Sequence, residues 1–158
     1  HSTPEMTILP SEPGYLAART GAALIDRRAR GRIVVSGADR ASYLQGMLTN
    51  DIVAIQAGHG CYACYLTAQG RMISDMWVFE LGDVMLLTLP GTTRETVLAR
   101  LDQFIFSEDV QLGDVTESFG QLAVVGPGAA VALAGILRVA AAALPRMQPE
   151  AARRRHSR

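Results

Sequence analysis

The sequence predicts an α+β domain with a largely antiparallel sheet covered by helices. Its 158 residues suit a single domain with one hydrophobic core. Hydrophobic residues make up 49% and charged residues 19%, a balance that is typical of a folded globular chain. Short apolar runs joined by tight turns are mixed with amphipathic segments in the order β-α-β-β-β-α-β-β-α, and this order favours the α+β class.

The first predicted elements are a strand and a helix. Gly31 to Gly37 reads GRIVVSG, a β-branched run bounded by glycines, which indicates a strand. The next segment, ADRASYLQGMLTND, predicts a helix because apolar residues recur at helical spacing at Tyr43, Leu44, Met47 and Leu48.

Three further apolar runs predict an antiparallel meander. They extend from Cys61 to Leu66, from Met72 to Leu81 and from Val84 to Leu89. Ala68-Gln69-Gly70 and Gly82-Asp83 separate them, and turns this short join antiparallel neighbours. We therefore expect three adjacent strands.

The remaining elements are a capped helix, a strand pair and a last helix. Thr92 is the expected N-cap of a helix with one apolar face, formed by Val97, Leu98, Leu101, Phe104 and Ile105. Residues 110–115 and 121–125 are expected to form a strand pair, and residues 129–137 a helix.

Residues 15–138 are predicted to be a partial domain with a segment on either side. Residues 1–14 are polar and proline-containing, so we expect a disordered lead-in or a cloning remnant. Residues 139–158 are alanine-rich and end in AARRRHSR, which predicts a frayed tail, with a phosphate-binding arm as the alternative.

Charge and cysteine content argue against several classes of function. The formal net charge is zero, so no global field favours nucleic acid or an anionic membrane as a partner. Without a recognisable signal segment or an apolar run of spanning length, we expect no membrane partner and a cytoplasmic location. Cys61 and Cys64 are three residues apart in a predicted strand, which puts them on opposite faces and predicts two reduced thiols rather than a disulfide, zinc or redox site.

One acidic residue stands out within the meander. Asp75 lies in a strand otherwise built mainly of Met, Ile, Trp, Val and Phe, and alternation puts it on one face with Ile73, Trp77 and Phe79. A carboxylate beside apolar groups is costly unless it is paired, so Asp75 is a candidate for acid/base or ligand-binding chemistry. The alternatives are an aspartate exposed to solvent and one bonded to Arg71.

Three segments together resemble a known family. They read ALIDRRARGRIVVSGADRASYLQGMLTNDI, GCYACYLTAQGRMISDMWVFELG and QLAVVGPGA, and in order and spacing they resemble the N-terminal pattern of the YgfZ and glycine-cleavage T-protein (aminomethyltransferase) superfamily. The resemblance covers residues 15–130 or so. It implies one α+β subdomain of a folate-binding domain, tetrahydrofolate as the ligand, and a natural or experimental truncation.

The resemblance also implies roles for individual residues. In T-protein, the aspartate that matches Asp75 lies against the pterin end of the folate and is implicated in chemistry at a folate nitrogen. Asp75 is therefore the candidate catalytic and folate-binding residue. Tyr62, Tyr65 and Met47 are candidate walls of the same pocket, with core packing as an equal alternative for the two tyrosines. We expect Asp75 to line a concave pocket with at least one of Tyr62 and Tyr65.

The resemblance leaves three functions open. T-protein usually has a D-x-S-H-M-G turn where this chain has Asp26-Arg27-Arg28-Ala29-Arg30-Gly31, which favours a YgfZ-like protein of iron–sulfur cluster assembly or repair. The alternatives are a tetrahydrofolate-dependent aminomethyltransferase and a non-catalytic remnant that acts as an interaction module. Because one of two similar subdomains is implied, we expect an exposed apolar face, at the Met72 to Leu81 strand or around Leu101, and a homodimer that buries it.

Overall fold

The computed structural model describes residues 12–137 and divides them between two compact units. In chain order the elements are α1 (Glu12–Thr20), β1 (Ala23–Asp26), β2 (Gly31–Ser36), α2 (Arg40–Met47), β3 (Gly60–Leu66), β4 (Met72–Glu80), β5 (Met85–Leu89), α3 (Arg94–Gln103), β6 (Gln111–Asp114), β7 (Leu122–Val125) and α4 (Ala129–Leu137). Helix α1 begins inside the predicted lead-in. Residues 1–11 of that lead-in and the predicted tail at 139–158 lie outside the described residues.

The larger unit, residues 28–121, contains a five-stranded antiparallel sheet. The strand order is β3-β4-β5-β2-β6, so the predicted meander of β3, β4 and β5 is confirmed. Gly70 makes the first hairpin possible because its φ of 81° is disfavoured for a residue with a side chain. The α+β class with an antiparallel sheet is likewise confirmed.

Helices α2 and α3 contribute to a single core with one face of this sheet. Leu44 of α2 and Leu101 of α3 are both 0% exposed and join the strand residues Ile33 and Met76 in that core. The Tyr43 hydroxyl donates a hydrogen bond to the carbonyl oxygen of Leu101, which ties the two helices together. Burial raises the pKa of Tyr43 to about 12.

The smaller unit, residues 12–27 and 122–137, pairs β1 with β7 as an antiparallel ribbon. Its two helices are α1 and α4. No residue of α4 is buried, and its Val131 and Ile136 side chains are 71% and 74% exposed. The prediction of an exposed apolar surface around Leu101 is wrong, because Leu101 belongs to the core of the larger unit. Met72, the first residue of β4, and Leu81, which follows the last residue of β4, are exposed and mark the two ends of the predicted Met72 to Leu81 patch.

The prediction that β6 and β7 form a strand pair is wrong. Strand β6 pairs with β2, with Ile33 opposite Asp114, whereas β7 pairs with β1, with Ala23 opposite Val125. Pairing partners distant in sequence are not specified by the local turn, and the four-residue strand β1 is too short to show alternation.

The predicted cap of α3 is also displaced by one residue. Thr93, not Thr92, is the N-cap, and the Thr93 hydroxyl lies 2.7 Å from the Ser74 hydroxyl and bonds the Pro90 carbonyl oxygen. Helix α3 ends at Gln103, so Phe104 falls outside the helix and stays largely exposed.

Candidate functional site

Strand β4 separates its side chains between the two faces of the sheet. Its residues alternate along the strand, with Ser74, Met76, Val78 and Glu80 buried and Ile73, Asp75, Trp77 and Phe79 half-buried on the other side. The predicted placement of Asp75 beside the three apolar side chains of its face is therefore confirmed. Asp75 lies on the face opposite the α2–α3 core, which we call the open face.

Asp75 accepts a hydrogen bond from a neighbouring strand. The Tyr62 hydroxyl donates to Oδ2 of Asp75 at 2.8 Å. Tyr62 lies opposite Trp77 and Cys64 lies opposite Asp75, so the register puts these four residues side by side on the open face. Asp75 is thus neither fully solvated nor paired with Arg71, the two alternatives that the sequence left open.

The hydroxyl of Tyr62 is held in its protonated form. The hydrogen bond to Asp75, followed by desolvation and the negative charge of Asp75, raises the pKa of Tyr62 to about 12. The Tyr62 ring meets Trp77 edge-on, with ring centroids 5.6 Å apart, and Trp77 stacks against Phe79 at 6.5 Å. An aromatic row therefore lies beside the carboxylate.

Replacing Asp75 with asparagine should lower the pKa of Tyr62 from about 12 toward its ordinary value of 10.0, because the acceptor loses its negative charge. In the native protein the Tyr62 hydroxyl therefore stays protonated at pH values between 10.0 and about 12. Any stability that depends on this proton is present below pH 10 and is lost as the pH rises through 12. Carbon-13 NMR of the tyrosine rings during an alkaline titration measures the change.

Tyr43 is the internal control for this titration, since burial is the largest cause of its raised pKa and Asp75 does not contribute to it. Its signal should titrate identically in the native and Asp75→Asn proteins. If the Tyr62 signal also titrated identically in the two proteins, the hydrogen bond to Asp75 would not be what holds the proton.

Tyr65 and Met47 are not brought to Asp75. Tyr65 lies opposite Ser74 and is 4% exposed within the α2–α3 core, so its assignment as a wall beside Asp75 is wrong. Core packing, the alternative use, is what the structure shows, and burial raises the pKa of Tyr65. Met47, the last residue of α2, is half-buried and packs against the same core.

Thr49 and Asn50, which follow α2, hold strand β3 in place, a role that the sequence does not predict. The Thr49 hydroxyl accepts a hydrogen bond from the backbone N–H of Cys64 at 2.9 Å. The side-chain amide of Asn50 donates to the carbonyl oxygen of Tyr62 at 2.8 Å. These two bonds satisfy backbone groups of Tyr62 and Cys64, the two residues of edge strand β3 that lie beside Asp75. Thr49 and Asn50 belong to the LTNDI end of the first segment that carries the family resemblance, and this is the sequence signal that could have identified them.

A separate concavity lies near the start of β3. It has a volume of about 290 Å³ and is lined by Asp51, Ala54, Ile55, Gln56, His59 and Gly60. Asp75 is not among its lining residues, so this is not the pocket predicted around Asp75. Gly60 is required here by close packing, because a Cβ atom would lie 2.5 Å from the Phe79 ring.

The side chains of Cys61 and Cys64 lie on opposite faces of the sheet, as their spacing predicts, and no disulfide joins them. Within residues 12–137, no group of three or more His, Cys, Asp or Glu side chains is arranged to hold a metal ion. No helix in that same part of the chain is long and apolar enough to cross a membrane.

Comparison with solved structures supports the fold. The glycine cleavage system aminomethyltransferase T from Bartonella henselae matches with a TM-score of 0.75 over 86% of this chain and 37% of that chain. The two sequences are 23% identical, so this similarity supports the shared fold and nothing beyond it.

Curated relatives are considerably longer than this chain. An aminomethyltransferase from Listeria monocytogenes is 34% identical over 130 residues, which cover 78% of this chain and 34% of the relative. An aminomethyltransferase from Rubrobacter xylanophilus is 31% identical over 72% of this chain and 30% of its own length. A putative chloroplastic transferase from Arabidopsis thaliana is 32% identical over 68% of this chain and 25% of its own length.

The chain therefore spans about a quarter to a third of the length of these relatives. The match to a family covers nearly all of this chain, because the GCVT N-terminal domain pattern extends over residues 11–154. Sequence, fold and relatives agree, and the chain belongs to the GCVT N-terminal domain family.

Proposed function

We propose that this chain is the tetrahydrofolate-binding part of an aminomethyltransferase-like protein, with Asp75 at the pterin end of the ligand. The observation that carries the proposal is the Asp75 carboxylate on the open face of the sheet, hydrogen-bonded by Tyr62. The family resemblance implies that this aspartate meets the pterin, which supports the proposal. A carboxylate can orient the amino groups of a pterin and can hold a proton at a folate nitrogen.

The surroundings of Asp75 suit a flat heteroaromatic ligand. Tyr62, Trp77 and Phe79 form a continuous aromatic row, and Tyr62 is 37% exposed, so part of that row is accessible. Aromatic rings offer stacking and edge contacts to a pterin. The carboxylate offers only acceptor oxygens when ionised, which complements the amine donors of the same ring.

Aminomethyl transfer is favoured over iron–sulfur cluster assembly or repair. The relatives described above are named aminomethyltransferases or a putative transferase. The Asp26-to-Gly31 turn, which departs from the T-protein pattern, remains the observation on the side of a YgfZ-like protein. Turnover of an aminomethyl donor with tetrahydrofolate separates the two functions. A non-catalytic interaction module, in which the fold is kept but the ligand site is incomplete, would show neither folate binding nor turnover.

Calorimetric titration of the full chain with tetrahydrofolate tests the binding site. We expect weak but measurable binding, because the chain spans only part of its relatives' length. Asp75→Ala should weaken it by about ten- to a hundredfold, the usual cost of losing a hydrogen bond to a charged group. Asp83→Ala is the matched control, since Asp83 is an exposed aspartate in the turn after β4.

The control variant should bind like the native chain. Binding that is indifferent to Asp75→Ala would show that the pterin is held elsewhere. No binding by the native chain would contradict the proposed function of this polypeptide.

A further inference from the structure

Tyr62 engages only one of the two oxygens of Asp75. Its hydroxyl donates to Oδ2, and within residues 12–137 no donor bonds Oδ1. An ionised carboxylate has acceptor positions on both oxygens. Fixing Oδ2 limits rotation of the carboxylate about its terminal bond, so Oδ1 is presented in one orientation. This oxygen is the one left for a ligand.

Tyr62 is itself held from two sides. Its ring meets the Trp77 ring edge-on at an interplanar angle of 64°, and Trp77 stacks on Phe79 at 18°. Its backbone carbonyl accepts a hydrogen bond from Asn50. Ring and backbone are therefore both restrained in the absence of a ligand. Restraint of this kind reduces the ordering cost of binding.

We infer that Tyr62 is a positioning residue, which holds Oδ2 of Asp75 so that Oδ1 accepts a hydrogen bond from an N–H group of the ligand. The inference rests on the proposed function, because it assigns the orientation of the carboxylate in that same site. This positioning role also specifies which ligand rings fit the site. A ring that presents an N–H donor to Oδ1 is accepted, whereas a ring that presents a second acceptor there leaves two acceptors facing each other.

A double-mutant cycle on the full chain tests this role. The variants are Tyr62→Phe, Asp75→Ala and the combination, each titrated calorimetrically with tetrahydrofolate. Tyr62→Phe keeps the ring against Trp77 and removes only the hydroxyl. We expect it to weaken binding by about tenfold when Asp75 is present. When Asp75 is already alanine, the same change should have almost no effect, because the two residues act as one unit.

Tyr65→Phe is the matched control, because Tyr65 lies on the same strand but in the core on the opposite face. It removes a hydroxyl at no cost to binding. A general disturbance of β3 would weaken binding equally with and without Asp75, which would overturn the positioning role. So would native-like binding by Tyr62→Phe.

The outcomes keep the inference apart from the proposed function. If Asp75→Ala weakens binding and Tyr62→Phe does not, the folate site stands and Tyr62 is not a positioning residue. If the native chain binds no tetrahydrofolate, the proposed function fails and the positioning role fails with it. Circular dichroism of each variant confirms that the sheet is intact.

Discussion

Truncating Leu101 to alanine should lower the free energy of unfolding by about 2–5 kcal/mol, the usual cost of a leucine removed from a packed core. Leu101 is fully buried where α3 meets the sheet, and its carbonyl accepts the hydrogen bond from Tyr43 that ties α3 to α2. Loss of its side chain leaves a cavity between these elements. Urea denaturation followed by circular dichroism measures the change.

Leu81→Ala is the matched control for this truncation. Leu81 is 54% exposed at the end of β4, so the same chemical change should alter stability by less than about 0.5 kcal/mol. Equal losses for the two variants would contradict the assignment of Leu101 to the core. A loss confined to Leu101→Ala would support the α2–α3 core as the main source of stability in the larger unit.

Much of the larger unit could be predicted from local sequence signals. The β3–β4–β5 meander follows from apolar runs joined by two short turns, and adjacent strands joined this way have few alternatives. The face of Asp75 follows from strict alternation along β4. Both predictions depend only on residues that are close in sequence, and local signals of this kind can be read without knowing the tertiary structure.

The pairing of the terminal strands could not be predicted in this way. Strand β1 (Ala23–Asp26) is four residues long, and its partner β7 lies about a hundred residues further along the chain. Gly126-Pro127-Gly128 follows directly on the end of β7, but a turn specifies where a strand ends and not which strand it pairs with. The division of the chain into two units follows from that long-range pairing.

The site was predicted in part. Asp75 and Tyr62 are brought together, whereas Tyr65 lies on the opposite face of the sheet. A signal that separates the two tyrosines was present in the sequence, because residues three apart on a strand point to opposite faces. The same alternation separates Cys61 from Cys64, and it places Cys64 with Tyr62 beside Asp75. Hydrogen bonding between Tyr62 and Asp75 required the register, which the sequence does not specify.

The smaller unit carries several exposed apolar side chains. Large apolar side chains are exposed on both strands and on α4, at Leu24, Leu122, Val131 and Ile136. A two-stranded ribbon is marginal by itself, and each strand here has one neighbour within the described residues. We propose that a second copy of the chain covers this surface, because a two-fold arrangement buries the same patch on both copies.

Sedimentation equilibrium of the chain at micromolar concentration should therefore give twice the single-chain mass of 16.9 kDa. The double variant Val131→Glu/Ile136→Glu should sediment as a single chain, because each copy would bring two carboxylates into an apolar contact. Val53→Glu, at a 58% exposed position of the larger unit, is the control and should keep the doubled mass. A native chain that sediments as a monomer at this concentration would refute the dimer. Dissociation by Val53→Glu but not by the α4 variant would move the contact to the larger unit, where the exposed side chains of Met72 and Leu81 lie.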